Sequence, residues 1–140
     1  MKGSRFLDTN VIVYAYDTSE PVKQAKAQAL LTEATRQRDG VVSIQVFGEF
    51  FHTVVIKRRL MPADEACSII TAIEACMTVT DVTVPMVKDA IRIHQRYQLR
   101  YWDALIIATA KTLGCPEVVS EDMNEGQDYD GGVVVNPFKT

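Results

Sequence analysis

The sequence predicts an α/β domain of three layers, α/β/α, around a mainly parallel central sheet. Three observations carry this. Short apolar runs alternate along the chain with longer stretches of helical periodicity, the pattern of strands linked by helices. One of those stretches, Trp102 to Leu113, is apolar almost all round, which suits a helix buried against a sheet. A length of 140 residues, 47% hydrophobic and 24% charged, suits one domain over residues 1–140 with its own core. The same numbers exclude a disordered chain, a collagen and a low-complexity array.

Each element follows from local chemistry. Arg5-Phe6-Leu7 reads as a short buried strand ending at Asp8, and Thr9 and Asn10 suit the cap of a helix over Val11 to Tyr16. Pro21 suits a first helical turn, and the good helix formers after it extend to Gly40, which is expected to stop the helix. Val41-Val42-Ser43 is a short strand. Ile44 to Arg59 follows as one helix, with Val46, Phe47, Phe50, Phe51, Val54 and Val55 along one stripe. Asp64 and Glu65 after Pro62 favour the start of another helix, which runs to about Cys76. The alternation from Met77 to Val84 predicts a strand, and Val84-Pro85 opens a helix carrying Lys88, Arg92 and Arg96. Gly114 suits the end of the apolar helix, and Pro116 prevents its continuation. Glu117-Val118-Val119 and Val133-Val134-Val135 read as strands.

Composition narrows the function classes. Three cysteines (Cys67, Cys76 and Cys115) with no CxxC spacing argue against a disulfide framework or a cysteine-rich zinc site, and they read as small apolar core residues. Free thiols and the lack of a signal-like N-terminal run predict a cytoplasmic protein. No segment approaches the roughly 18 apolar residues of a membrane helix. A net charge of −3 gives no bulk support to nucleic-acid binding, so any such case rests on local patches.

Four acids stand where folding alone would not choose them. Asp8 directly follows a buried strand, Glu49 lies among Val46, Phe47, Phe50 and Phe51, Asp103 opens the most apolar helix, and Asp122 closely follows Val118-Val119. Taken singly, each has an ordinary use. Asp8 and Asp122 suit turns, Asp103 suits a helix N-terminus, and Glu49 suits a flank whose head reaches water. Taken together, they point to one rim, because ligands of open parallel sheets gather at the carboxyl ends of strands.

Two carboxylates about 5 Å apart repel by roughly 3 kcal/mol at an effective dielectric of about 20. Four require a counter-charge, and no lysine is near them in sequence. Oxygen-only ligands without Cys or His suit Mg²⁺ or Mn²⁺. A modest basic rim accompanies them. Lys88, Arg92, Arg96 and Arg100 recur every fourth residue as a drifting stripe on one helix face, and Lys57-Arg58-Arg59 ends the helix that carries Glu49. These charges read either as a solvated face or as phosphate contacts, with Arg96 and Arg100 nearest Asp103. Metal, carboxylates and basic rim together point to phosphodiester hydrolysis.

The strings LDTNVIVYA, GEF, YWDALIIATA, VSEDM and VVVNPF, in this order, resemble PIN-domain ribonucleases, most nearly the VapC-type toxins of bacterial toxin–antitoxin pairs. The resemblance spans Phe6 to Phe138. It implies a Mg²⁺- or Mn²⁺-dependent endoribonuclease whose metal ligands fall on Asp8, Glu49, Asp103 and Asp122. Asn10 would orient Asp8, and Ser120 would bond the phosphate or an acid. Glu121 stands beside Asp122 as an alternative fourth acid. Some relatives carry a further Asp shortly after Asp103; here Ile106 and Ile107 follow, which leaves one or two metals open. The resemblance also implies an RNA substrate, a homodimer, and an antitoxin that reaches into the acidic site with a basic side chain.

Competing readings have their own signatures. A phosphatase with Asp8 as nucleophile would want a second Asp at position 10, which is Asn10. A noncatalytic RNA- or protein-binding module would keep the acids only as vestiges. His52 reads as a packed or surface residue rather than a base, Trp102 as packing rather than a base-stacking platform, and His94 has no assigned role.

Overall fold

The computed structural model describes residues 3–139. Six strands form one sheet: β1 (Arg5–Leu7), β2 (Gly40–Ser43), β3 (Thr78–Thr80), β4 (Glu117–Val119), β5 (Asp128–Tyr129) and β6 (Gly132–Val135). Their order across the sheet is β3-β2-β1-β4-β6-β5. All neighbours are parallel except β5 and β6, and the register sets Leu7 against Val119 and Val119 against Val135. Six helices flank the sheet: α1 (Thr9–Tyr14), α2 (Pro21–Gln37), α3 (Ile44–Phe51), α4 (Ala63–Cys76), α5 (Val84–Tyr97) and α6 (Tyr101–Thr112). This is the expected three-layer α/β/α arrangement. No helix is long and apolar enough to cross a membrane among the described residues.

Strand order determines where a ligand can sit. From β1 the chain builds outward through β2 and β3, then returns to lay β4 on the other side of β1. The carboxyl ends of β1 and β4 therefore flank a topological switch point, where the connections diverge and leave a crevice. Asp8 leaves β1 there, and its amide extends the ladder by donating to the Val119 carbonyl at 3.0 Å.

The core consists of apolar side chains from strands and helices alike. Phe6, Val42, Phe50, Ile93, Ile106, Ile107 and Val118 are all fully buried. In α6 every residue from Asp103 to Ala110 is buried, as the all-round apolar pattern predicts. Its one buried hydroxyl, on Thr109, donates to the Leu105 carbonyl at 2.7 Å and so leaves no polar group orphaned.

Several local expectations are corrected. Asp8 itself caps α1, so the helix begins at Thr9 and ends at Tyr14. Gly40 does not stop α2; Arg38 does, in a left-handed conformation at φ 55°. Gly40 instead starts β2, where a Cβ would stand 3.0 Å from Met77 Sδ and 3.2 Å from Ala34 Cβ. The expected helix from Ile44 to Arg59 is α3 followed by a π-helical turn, His52–Lys57. The strand expected from Met77 to Val84 stops at Thr80, and Thr83 caps α5. The strand over Val133-Val134-Val135 gains a partner, β5, in a hairpin. Its turn is Asp130–Gly131, both at positive φ (57° and 100°), as a two-residue type I′ loop requires. Of the three cysteines only Cys115 is a core residue; Cys67 and Cys76 are exposed.

Candidate functional site

A cleft of about 880 Å³ opens at the switch point, and its lining includes Asp8, Asn10, Glu49, Arg100, Glu121 and Asp122. Asp8 is buried, and its carboxylate caps α1: Oδ1 accepts the Thr9 amide at 2.7 Å. Oδ2 accepts the Ser120 hydroxyl at 2.7 Å and the Asn10 side-chain amide at 3.3 Å. Burial pushes the Asp8 carboxyl up to about 7; the bonds from Ser120 and Thr9 pull down, and the negative charges of Asp103 and Asp122 push up further. Asp103 and Asp122 each stand close enough to Asp8 for their charge to act on it.

Asn10 joins the two strand-end loops. Its Nδ2 faces Asp8, Ser120 Oγ at 3.2 Å and Asp122 Oδ2 at 3.1 Å. Its Oδ1 accepts the Glu121 amide at 3.1 Å, which fixes which end of the side-chain amide donates. Ser120 Oγ also accepts the Asp122 amide at 3.1 Å. Glu121 points elsewhere. Its carboxylate accepts from Lys23 at 2.6 Å and from Tyr14 at 2.7 Å. Burial would raise the Glu121 carboxyl, but these two donors and the lysine charge outweigh it and hold the carboxyl below its usual range. Of the adjacent pair, Asp122 is the one that faces Asp8.

Glu49 reaches the cleft from α3. Thr9 Oγ1 donates to its Oε1 at 2.7 Å, and Gln45 Nε2 approaches its Oε2 at 3.3 Å. Asp103, in the first turn of α6, is buried and gripped by Arg100 at 3.0 Å and 3.4 Å. The hydrogen bond to Asp103, and after it the charges of Asp103, Glu49 and Asp122, hold the Arg100 guanidinium more firmly protonated against the opposing effect of burial. One cation therefore already sits among the acids.

Among the described residues, no three His, Cys, Asp or Glu side chains stand close enough to hold a common ion as oriented here. The reason is local. Arg100 covers Asp103, Asn10 lies between Asp8 and Asp122, and Thr9 holds Glu49. The chemistry of the set nonetheless fits a hard divalent cation. Every donor is a carboxylate or hydroxyl oxygen, and a carboxyl pushed up by burial, with like charges adding to the push, gains most from a doubly positive neighbour.

The basic stripe is not continuous. Helix α5 ends at Tyr97 with Gln98 in a left-handed conformation, so Arg100 stands at the start of α6 and not on the face of α5. Arg96 does not line the cleft. It lies 3.9 Å from Asp130, in a cluster where Arg92, Lys111 and Tyr97 also contact that carboxylate. Its expected place beside the acids is thereby corrected. Two partners had no sequence signal: Lys23 for Glu121, and Arg58 for the buried Asp17 at 2.9 Å. Each of these pairs joins different elements, so only tertiary structure reveals it, whereas Gln45 stands four residues before Glu49 on α3, a helical spacing that the sequence carries.

No curated protein is significantly similar in sequence. Several solved structures share the fold. A toxin–antitoxin complex from Klebsiella pneumoniae has a TM-score of 0.73 at 18% identity, covering 98% of this chain and 100% of that one. Mycobacterium tuberculosis VapC20, described as a sarcin–ricin loop cleaving toxin, has a TM-score of 0.65 at 19% identity, covering 82% and 87%. FitAcB from Neisseria gonorrhoeae has a TM-score of 0.62 at 19% identity, covering 97% and 99%. The PIN domain family model matches residues 5–124, a span that holds the switch-point crevice and every acid lining it, and the chain belongs to the PIN domain family.

Proposed function

We propose that the chain is a metal-dependent endoribonuclease, the toxin of a type II toxin–antitoxin pair. The observation that carries this reading is Asp8. It is a buried carboxyl raised to about 7 at the crevice, with Asp103 and Asp122 pressing on it and Glu49 on the same wall. Such a group costs stability unless a cation is meant to join it.

In this reading Asp8, Asp103, Asp122 and Glu49 hold Mg²⁺ or Mn²⁺. The ion supplies a Lewis acid for the phosphate and makes water a stronger nucleophile. The remaining work falls to the chain. Ser120 and Asn10 hold Asp8 Oδ2 in place, and Thr9 aims Glu49. Glu49 Oε2, with only one long hydrogen bond, is free to take a proton from the attacking water. Arg100 exchanges Asp103 for the phosphate, with Asn10 also lining the cleft; Ser120, expected to bond the phosphate or an acid, is fully buried and bonds the acid. Hydrolysis adds the hydroxyl of water to phosphorus and a proton to the departing ribose oxygen. Structured RNA with accessible single-stranded loops is the substrate class.

The proposal includes a cytoplasmic location, a homodimer and an antitoxin partner. The guanidinium of Arg100 beside Asp103 shows that the acids accept a basic side chain, which supports inhibition by an inserted one. The test is cleavage of a total RNA pool with Mn²⁺ or Mg²⁺, by the wild type and by Asp8→Asn. Wild type should cut only with metal and Asp8→Asn should not cut; equal cutting by both, or none by either, overturns the reading.

A further inference from the structure

The same cleft extends beyond the acids along the continuation of α3, where its lining includes Asp17, His52, Lys57 and Arg58. Lys57 lies eight residues after Glu49, somewhat less than the roughly 12 Å along the axis that an unbroken α-helix would give at about 1.5 Å per residue. The backbone there is unusual. The segment His52–Lys57 is π-helical, the Arg58 amide donates to the Thr53 carbonyl at 2.8 Å, and Arg59 takes the left-handed region at φ 51°. Wide π turns and left-handed non-glycine residues cost free energy and recur at functional sites.

The widened turn delivers Arg58 to a fixed seat. Its Nη1 lies 2.9 Å from Asp17 Oδ2, with Asp17 almost wholly buried and Arg58 36% exposed. Asp17 is itself held, its Oδ1 accepting the Ser19 amide at 3.0 Å and the Ser19 hydroxyl at 2.6 Å. A guanidinium has five donors in a rigid fork, so a single carboxylate leaves part of it free to face the cleft. Lys57 adjoins it and is exposed.

We propose that Arg58, oriented by Asp17, grips together with Lys57 an RNA phosphate flanking the one cut at the acidic end. This rests on the ribonuclease reading and names how that site holds its substrate. The acids repel every phosphate the metal does not neutralise, so a strand crossing the cleft needs a cationic hold beyond them. Arg58 meets that need with a direction fixed before the substrate arrives, which lowers the cost of ordering it on binding.

The test uses a short single-stranded RNA containing a cut site mapped by sequencing the new ends from Mn²⁺-dependent cleavage. Neutral methylphosphonates replace its phosphates one at a time. With wild type, one flanking position should raise KM about tenfold while kcat stays within about twofold. Arg58→Gln and Lys57→Gln should raise KM on the unmodified strand and lose nothing further on that modified one. The slope of binding against salt should fall by about 0.7 for each lost contact. Wild-type cleavage indifferent to every flanking methylphosphonate overturns the inference and leaves the ribonuclease reading standing. If wild type cuts no RNA with either ion, both fall. Should Arg58→Gln not fold, the wild-type scan and Lys57→Gln decide.

Discussion

The Ser120 hydroxyl donates to Asp8 Oδ2 at 2.7 Å across 112 residues of sequence. Ser120 is fully buried, and its oxygen in turn accepts from Asn10 and from the Asp122 amide. One hydroxyl therefore ties the end of β1 to the end of β4 and sets the direction of the central carboxylate. Ser120→Ala removes that donor and leaves Asp8 free to turn. Groups that orient a metal ligand typically contribute 10–100-fold in affinity. Calorimetric titration of Ser120→Ala with Mn²⁺ should show a loss of about that size, alongside a metal-free destabilisation of about 1–3 kcal/mol from the buried partners left unpaired.

Asp8 also makes metal-free stability depend on pH. Its carboxyl is raised from 3.8 to about 7, so the folded state binds more protons than the unfolded one between those values. The stability it confers is fully present below the unfolded value and is lost as pH rises through about 7. The difference is on the order of 4 kcal/mol. Thermal melts in EDTA should therefore show Asp8→Asn gaining on wild type between pH 5 and 8. Added Mn²⁺ should stabilise wild type at pH 8 and leave Asp8→Asn unmoved. A wild-type advantage that grows with pH in EDTA would contradict the burial argument.

The sheet and the strand-end acids are legible in the sequence because they depend on local pattern. Arg5-Phe6-Leu7 followed by Asp8, and Val118-Val119 followed by Asp122, show an apolar run breaking at a charge. What is not legible depends on partners or on backbone hydrogen bonds. A stripe of Val46, Phe50 and Val54 looks the same whether the helix stays α or widens to π after Phe51. A four-residue repeat from Lys88 to Arg100 reads as one helix face, yet the left-handed Gln98 ends α5 before Arg100. Lys23 is far from Glu121 in sequence and bonded to it in space, so a search for nearby counter-charges misses it.

Gly40 illustrates a position where the side chain matters by its absence. A Cβ there would press on Ala34 of α2 and on Met77 before β3. The methionine is flexible, but Ala34 is fully buried and backbone-close, so a larger side chain must displace α2. Gly40→Val should destabilise by about 1–3 kcal/mol, read from urea midpoints. Gly48, with open space around its Cβ position, should accept Ala without loss.

Arg100 and an incoming metal compete for the same charge. Its guanidinium makes two contacts with the buried carboxylate of Asp103 while remaining 62% exposed, so it can leave into solvent or toward a phosphate. Removing it strips a positive charge from the surroundings of a dication and frees both oxygens of Asp103. Solvent screening limits the electrostatic gain, so the expected rise in Mn²⁺ affinity for Arg100→Ala is about tenfold. Turnover of RNA should move the other way, because the fork that meets the phosphate is gone. Arg100→Lys keeps the charge without the fork, and so should restore the wild-type Mn²⁺ affinity while recovering only part of the turnover. Titration calorimetry and single-turnover cleavage on the same three proteins separate the two effects. If metal affinity falls with Arg100→Ala, Arg100 supports the acids rather than competing for them, and the exchange of Asp103 for phosphate is wrong.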